Sequence, residues 1–280
     1  SAYRTGVYIT PVTVDAQGHK HFGLLRCSSN FTGPTNNVQA ADKQIIDSVN
    51  MLGKLHFTES PHTEFNHVLA QIYHNRRSNE TEKDKKAAIK KHADKTEDMS
   101  DGLMAFVSLY QGFGNNGVFA HLQAENVRRS KENIYDHMYG HESILTRLRF
   151  ELKEPEKYPE LKARFDIVLY PNSVFIMTLR ANQLYTHEIV PSNLPVEKLP
   201  TRMGYVVRCS KTKAMFNGHT LIENERGEYV PLTTPTEEEM STFRTLYFRE
   251  NTTSEDINYL ENGKVITFTM NKGDLQEPVM

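Results

Sequence analysis

Two cysteines, Cys27 and Cys209, are all that this chain of 280 residues contains. They are too few for a disulfide framework, so a reducing compartment, cytoplasmic or nuclear, is the expected home. No apolar run approaches the ~18 residues needed to span a bilayer, and no membrane partner is expected. The opening SAYRTGVYITP lacks the basic-then-apolar pattern of a secretion signal, which leaves the sequons at Asn30 and Asn251 with little meaning. Neither sign of charge dominates: 33 Lys and Arg against 35 Asp and Glu leave a net charge of −2, with no global pull toward duplex DNA. There is no P-loop and no HExxH, and neither an internal repeat nor a low-complexity linker. P-loop nucleotide hydrolysis and the common zinc-protease helix are set aside by those absences.

What is present reads as one domain over 1–280, with a core at about 65–232. Residues 37–55 carry Ile45, Ile46, Val49 and Leu52 at helical spacing. The charged run 75–91 reads as an inserted loop or short helix, and 121–160 as polar and helical. Strand-length apolar runs stand at 102–110, 164–170, 173–180, 203–209, 219–223, 228–232 and 263–270. Gly-rich 111–117 reads as a turn, and 235–248 as a helix with Pro235 at its start and acids in its first turn. Strict βαβ alternation is missing, so the expected class is mainly β with flanking helices, concentrated in the first half. The architecture that fits best is a double-layered antiparallel barrel or jelly roll.

The stretch KKHADKTED (90–98) lies in the most charged part of the chain and reads mostly as a solvated face. Within it His92 and Asp94 stand two apart. In extended chain such a pair points to one side, and one more imidazole would complete a two-His-one-carboxylate face, the donor set of non-haem Fe(II) oxygenases. His187, in LYTHEIVPS, opens an extended segment after a short ANQ turn and is the best-placed third ligand. Downstream, TRMGYVVRC places Arg202 and Arg208 on one face of a strand with Gly204 between them. Two forked guanidiniums at that spacing suit the two carboxylates of a small dicarboxylate such as 2-oxoglutarate.

HxD, a late His and R-x5-R on a β-rich chain together resemble the AlkB-like branch of the Fe(II)/2-oxoglutarate dioxygenases, over roughly residues 65–210. The resemblance implies a double-stranded β-helix core in which His92, Asp94 and His187 hold Fe(II). Arg202 would bind the C5 carboxylate of 2-oxoglutarate, and Arg208 would lie nearer its C1 end and the metal. The family's N-x-Y element has its counterpart in QIY, giving Gln71 and Tyr73, with Gln where the family has Asn. The implied reaction takes O2 and 2-oxoglutarate, releases succinate and CO2, and hydroxylates or demethylates a substrate at a C–H bond. Halogenating relatives lack the Asp94 carboxylate. Relatives commonly act on alkylated nucleobases, but this chain has no tryptophan, is nearly neutral and carries large insertions. A small-molecule substrate is expected ahead of single-stranded nucleic acid. A non-catalytic binding module on the same fold is the reading from another class. His137 and His141, in HMYGHES, have a zinc-like i, i+4 spacing without a third ligand. The basic runs at 75–77, 83–86 and 127–131 read as solvated faces or a phosphate track, and Cys209 as packed.

Overall fold

The computed structural model describes residues 3–26, 32–58, 64–76, 84–100, 102–120, 122, 127–259 and 266–280. Cys27, the Asn30 sequon, parts of the basic runs at 75–77 and 83–86, and the start of the expected 263–270 strand lie outside them. Within the described residues the protein is mainly β, with few helices.

Strands are numbered along the chain. The largest sheet runs in the order β13 (Ser173–Thr178), β7 (Leu103–Tyr110), β15 (Arg202–Arg208), β5 (His67–His74), β1 (Tyr3–Thr10) and β4 (Asn36–Asn37). A second sheet has the order β12 (Arg164–Val168), β11 (Arg147–Leu152), β14 (Tyr185–Val190) and β6 (Ile89–His92). Every pair in these two sheets is antiparallel except β1 with β4. Along the chain β5, β7, β13 and β15 belong to the first sheet, and β6, β11, β12 and β14 to the second. A third sheet orders β18 (Tyr229–Pro231), β17 (Thr220–Glu223), β16 (Thr212–Phe216), β3 (Lys20–Leu24) and β2 (Thr13–Val14). A small one pairs β10 (Glu142–Ser143), β9 (His137–Tyr139) and β8 (Val127–Arg129).

The two main sheets share a core. Met104, Phe106 and Met177 from the first meet Leu148, Phe150 and Ile189 from the second. The other face of the first sheet is covered by α1 (Ala40–His56), whose Ile46 and Val49 pack on Val68, Ala105 and Val207. With both faces buried, β7 is a nearly continuous apolar run, while β5 is apolar at Val68–Ala70 and interrupted by Gln71. The α1 helix opens with a capping box between Gln39 and Asp42, and the Tyr205 hydroxyl donates to Asp42 Oδ1 at 3.1 Å.

Several expectations are corrected. No helix occurs among the described residues of 121–160; they form β8 to β11. In β11 (RLRFEL) Leu148, Phe150 and Leu152 point inward, while Arg149 pairs outside with Asp166 and Glu188. His137 and His141 share no helical face: His137 is buried on β9, and Gly140 (φ 64°) turns the chain so that His141 is exposed. The end of the 75–91 run is the start of β6, and Arg76 bridges to Lys85. The ANQ turn is part of α2 (Leu179–Leu184), capped by Thr178. Of 266–270 only Phe268 pairs, in a lone bridge to Thr233. Helices are not concentrated early, since α3 (Glu237–Thr252) lies near the C-terminus.

Candidate metal centre

His92 is the last residue of β6, and its register partner on β14 is His187. Cross-strand neighbours on one face bring side chains within a few ångströms, and the two rings lie 4.5 Å apart between centroids. Asp94 follows β6 by two residues. Its Oδ1 is 3.4 Å from His92 Nε2 and 4.0 Å from His187 Nε2. One ligand atom from each of the three falls within 4.8 Å of the others, and no other such group of His, Cys, Asp and Glu occurs among the described residues.

The hydrogen bonds leave these atoms ready for a cation. His92 Nδ1 donates to the Lys90 carbonyl at 2.9 Å, so the proton is on Nδ1 and the lone pair on Nε2. Asp94 Oδ2 accepts from Arg208 Nε and Nη2 at 3.0 and 2.5 Å, which leaves Oδ1 toward the imidazoles. His187 is buried, its Nδ1 has no hydrogen-bond partner, and its Nε2 faces Asp94 beyond hydrogen-bond reach. A buried imidazole that bonds to no protein atom through either nitrogen fits a divalent metal at Nε2 better than it fits a packing role.

Electrostatics agree. Burial, then the His92 ring, push His187 down to about 3, so it is neutral as a ligand must be. Burial works against ionised Asp94, but the Arg208 guanidinium and both imidazoles hold its carboxyl well below the usual range. Phe106 and Phe150 wall the ring of His187 at 5.5 and 6.0 Å.

The three residues line a cavity of about 280 Å³ with Gln71, Tyr73, Arg202, Gly204 and Arg208. Arg202 pairs in register with Tyr73, and its Cζ sits 4.0 Å from the Tyr73 ring centroid. Its Nε is buried without a partner. The Tyr73 hydroxyl donates to Gln71 Oε1 at 2.9 Å, so QIY turns both side chains to one face, as alternation on β5 requires. Every residue singled out as a ligand or anchor therefore meets in one cavity. Arg208 does so through Asp94.

The solvated reading of KKHADKTED holds for Lys90 and Lys91 but fails from Ala93 on. Ala93, Asp94, Lys95 and Asp98 are all buried. Lys95 Nζ stacks over Phe243 and Tyr247 of α3 at 4.3 and 4.8 Å, and Asp98 pairs with Arg26 at 2.6 Å. Four contributors escaped the sequence reading. Arg4 and Tyr8 reach the cavity from β1, a strand that the sequence reading did not single out. Asn182 and Asn251 bond only to backbone, which leaves no chemical signature; the Asn251 sequon hides a side chain that accepts from the Ala93 N–H at 2.7 Å. The sequence matches no protein-family model and no curated protein.

Proposed function

We propose that this chain is an Fe(II)- and 2-oxoglutarate-dependent dioxygenase of the AlkB-like kind, built on a double-stranded β-helix. The alternation of β5, β6, β7 and β11 to β15 between two facing antiparallel sheets supports the jelly-roll core. The observation that carries the activity is the convergence of His92 Nε2, His187 Nε2 and Asp94 Oδ1 in a cavity that also holds buried Arg202.

A two-His-one-carboxylate face leaves positions open on Fe(II), which suits O2 and a chelating cosubstrate. When bound, the metal with 2-oxoglutarate and O2 supplies the oxidising power; one oxygen atom ends in succinate, released with CO2, and the other in the hydroxylated substrate. The protein binds and orients. Arg202 anchors the far carboxylate of 2-oxoglutarate from above Tyr73. Arg208 fixes which Asp94 oxygen meets the metal, and Phe106 and Phe150 keep water from His187. The cavity of about 280 Å³ takes 2-oxoglutarate in this reading, and the nearly neutral charge of the chain and its lack of tryptophan favour a small-molecule substrate presenting one C–H group.

Anaerobic titration of metal-free protein with Fe(II) and 2-oxoglutarate tests the reading. The visible charge-transfer band of the chelate is expected in wild type and absent in His92→Ala. A wild-type protein without the band would leave the fold as a binding module and end the enzymatic reading.

A further inference from the structure

Asp94 is the one member of the triad that no strand holds. His92 closes β6 and His187 lies within β14, so sheet register aims both imidazoles. Asp94 stands in irregular chain past the end of β6, yet its peptide groups are fully bonded, and by a side chain. The Asp94 N–H donates to Asn182 Oδ1 at 2.9 Å, while Asn182 Nδ2 donates to the Asp94 carbonyl at 2.8 Å. One residue earlier, the Ala93 N–H donates to Asn251 Oδ1 at 2.7 Å, and Asn251 Nδ2 is spent on the Tyr247 carbonyl of α3 at 2.8 Å.

A carboxamide offers an acceptor and donors side by side, so one Asn can serve both peptide groups of a residue as a neighbouring strand would. Asn182 does this from α2, fully buried, and its own carbonyl accepts from Lys153 Nζ at 3.1 Å. Neither asparagine is among the three residues that could hold the ion. Their effect on Oδ1 passes through the Ala93–Asp94 backbone, whose dihedrals they hold from behind while Arg208 holds the carboxylate at its other oxygen.

We infer that Asn182 and Asn251 are positioning residues for Asp94, a pair of carboxamides from α2 and α3 that clamps the chain so that Oδ1 meets the imidazoles. The inference rests on the metal-centre reading of His92, Asp94 and His187. Loss of partners behind a metal ligand typically weakens binding ten- to a hundred-fold.

The test is Co(II) titration of the full metal-free chain, followed by visible d–d absorption, which reads affinity and ligand geometry without turnover. Asn182→Ala and Asn251→Ala are expected to raise the Co(II) Kd ten- to a hundred-fold and to alter the band shape. Far-UV circular dichroism and the unfolding temperature are measured alongside, and half-buried Asn251 remains informative should the Asn182 variant not fold. Leu232→Ala, a cavity in the remote core of the third sheet, serves as the stability control and should keep the wild-type Kd within twofold. A wild-type Kd in the asparagine variants overturns the clamp, and so does an equal loss of affinity in Leu232→Ala. Failure of wild type to give a spectrum dependent on His92 and His187 overturns the metal centre instead.

Discussion

Gly204 stands between the two arginines of β15, and a Cβ there would lie 2.6 Å from Arg202 Nη1 and 3.3 Å from its Cζ. The guanidinium folds back along its own strand to reach the ring of Tyr73, and only a residue without a side chain leaves that path open. Gly204→Ala should therefore push Arg202 off the ring and weaken 2-oxoglutarate binding about tenfold, the worth of one charge-assisted contact. Co(II) affinity should not change, because the Arg208–Asp94 pair lies at the other end of the strand. Calorimetry of 2-oxoglutarate binding to metal-loaded protein checks this, and an unaltered Kd would remove Arg202 from the anchor role. Arg208 is a different case, since Asp94 is buried and ionised against it. Arg208→Met leaves that carboxylate uncompensated and should cost the metal-free protein about 3–5 kcal/mol. Saturating Co(II), binding only the folded state, should restore part of it in urea melts; a variant as stable as wild type would mean that Asp94 is held by its other neighbours.

Among the elements, α3 matters beyond its own packing. Its last turns deliver Tyr247, Glu250 and Asn251 to the Ala93–Thr96 segment: Thr96 donates its N–H and hydroxyl to Glu250 Oε1 at 3.2 and 2.7 Å. The helix starts on a capping box in which Thr236 Oγ1 accepts from the Glu239 N–H at 3.2 Å and Glu239 Oε2 accepts from the Thr236 N–H at 2.7 Å. Thr236→Ala should cost about 1 kcal/mol and weaken Co(II) binding only slightly, as the cap lies at the far end from Asn251; urea unfolding and metal titration together read both. The start of this helix was legible, with Pro235 before the cap and three acids in the first turn, whereas the expected end at 248 missed the turn that carries Glu250 and Asn251. Also legible were β7 and β15, from apolar runs of strand length; β5 was not, its HVLAQIYH being broken by His67, Gln71 and His74. β11 was not, although its alternation is regular. Its outward residues are charged, and what keeps them on a strand is the pairing of Arg149 with Asp166 and Glu188 from the neighbouring strands, which a local window cannot see. For the site, the ligand and anchor types were readable from chemistry and spacing. Asn182 and Asn251 were not, because a side chain that serves another residue's backbone looks like any polar residue.

Across the whole molecule, buried charge is handled unevenly, and its clearest consequence is a pH dependence. Arg26 is buried between two neighbouring carboxylates, Asp98 at 2.6 Å and Glu97 at 3.1 Å. One guanidinium cannot fully compensate both. Burial opposes ionised Asp98, but Arg26 outweighs it and keeps that group low. Glu97 is pushed up to about 8 by burial, with the Asp98 charge adding and Arg26 opposing. Asp274 is pushed up to about 7, by burial and then the Asp98 charge, against hydrogen bonds from Thr269 and Asn271. Such an acid keeps in the native state a proton that the unfolded chain has lost from about pH 4.5 upward. The native state then binds more protons than the unfolded one, and stability falls as pH rises until the native pKa is passed. His67, pushed down to about 3 by burial and Arg208, acts in the opposite sense. Its pH dependence is at half slope at pH 6.5, the ordinary imidazole pKa, and ends about one unit higher. Lys153, pushed down to about 8 by burial, adds stability only above that pH. Between about pH 6.5 and 8 the raised carboxyls prevail, and metal-free protein should lose stability at up to about 1.4 kcal/mol per pH unit for each such group. Urea midpoints at three pH values across that window, for wild type and Glu97→Gln, provide the measurement. The variant carries no titrating proton at that position and should show a clearly shallower decline. Parallel lines for the two proteins would mean that Glu97 is ionised in the folded state throughout, with Arg26 holding both carboxylates.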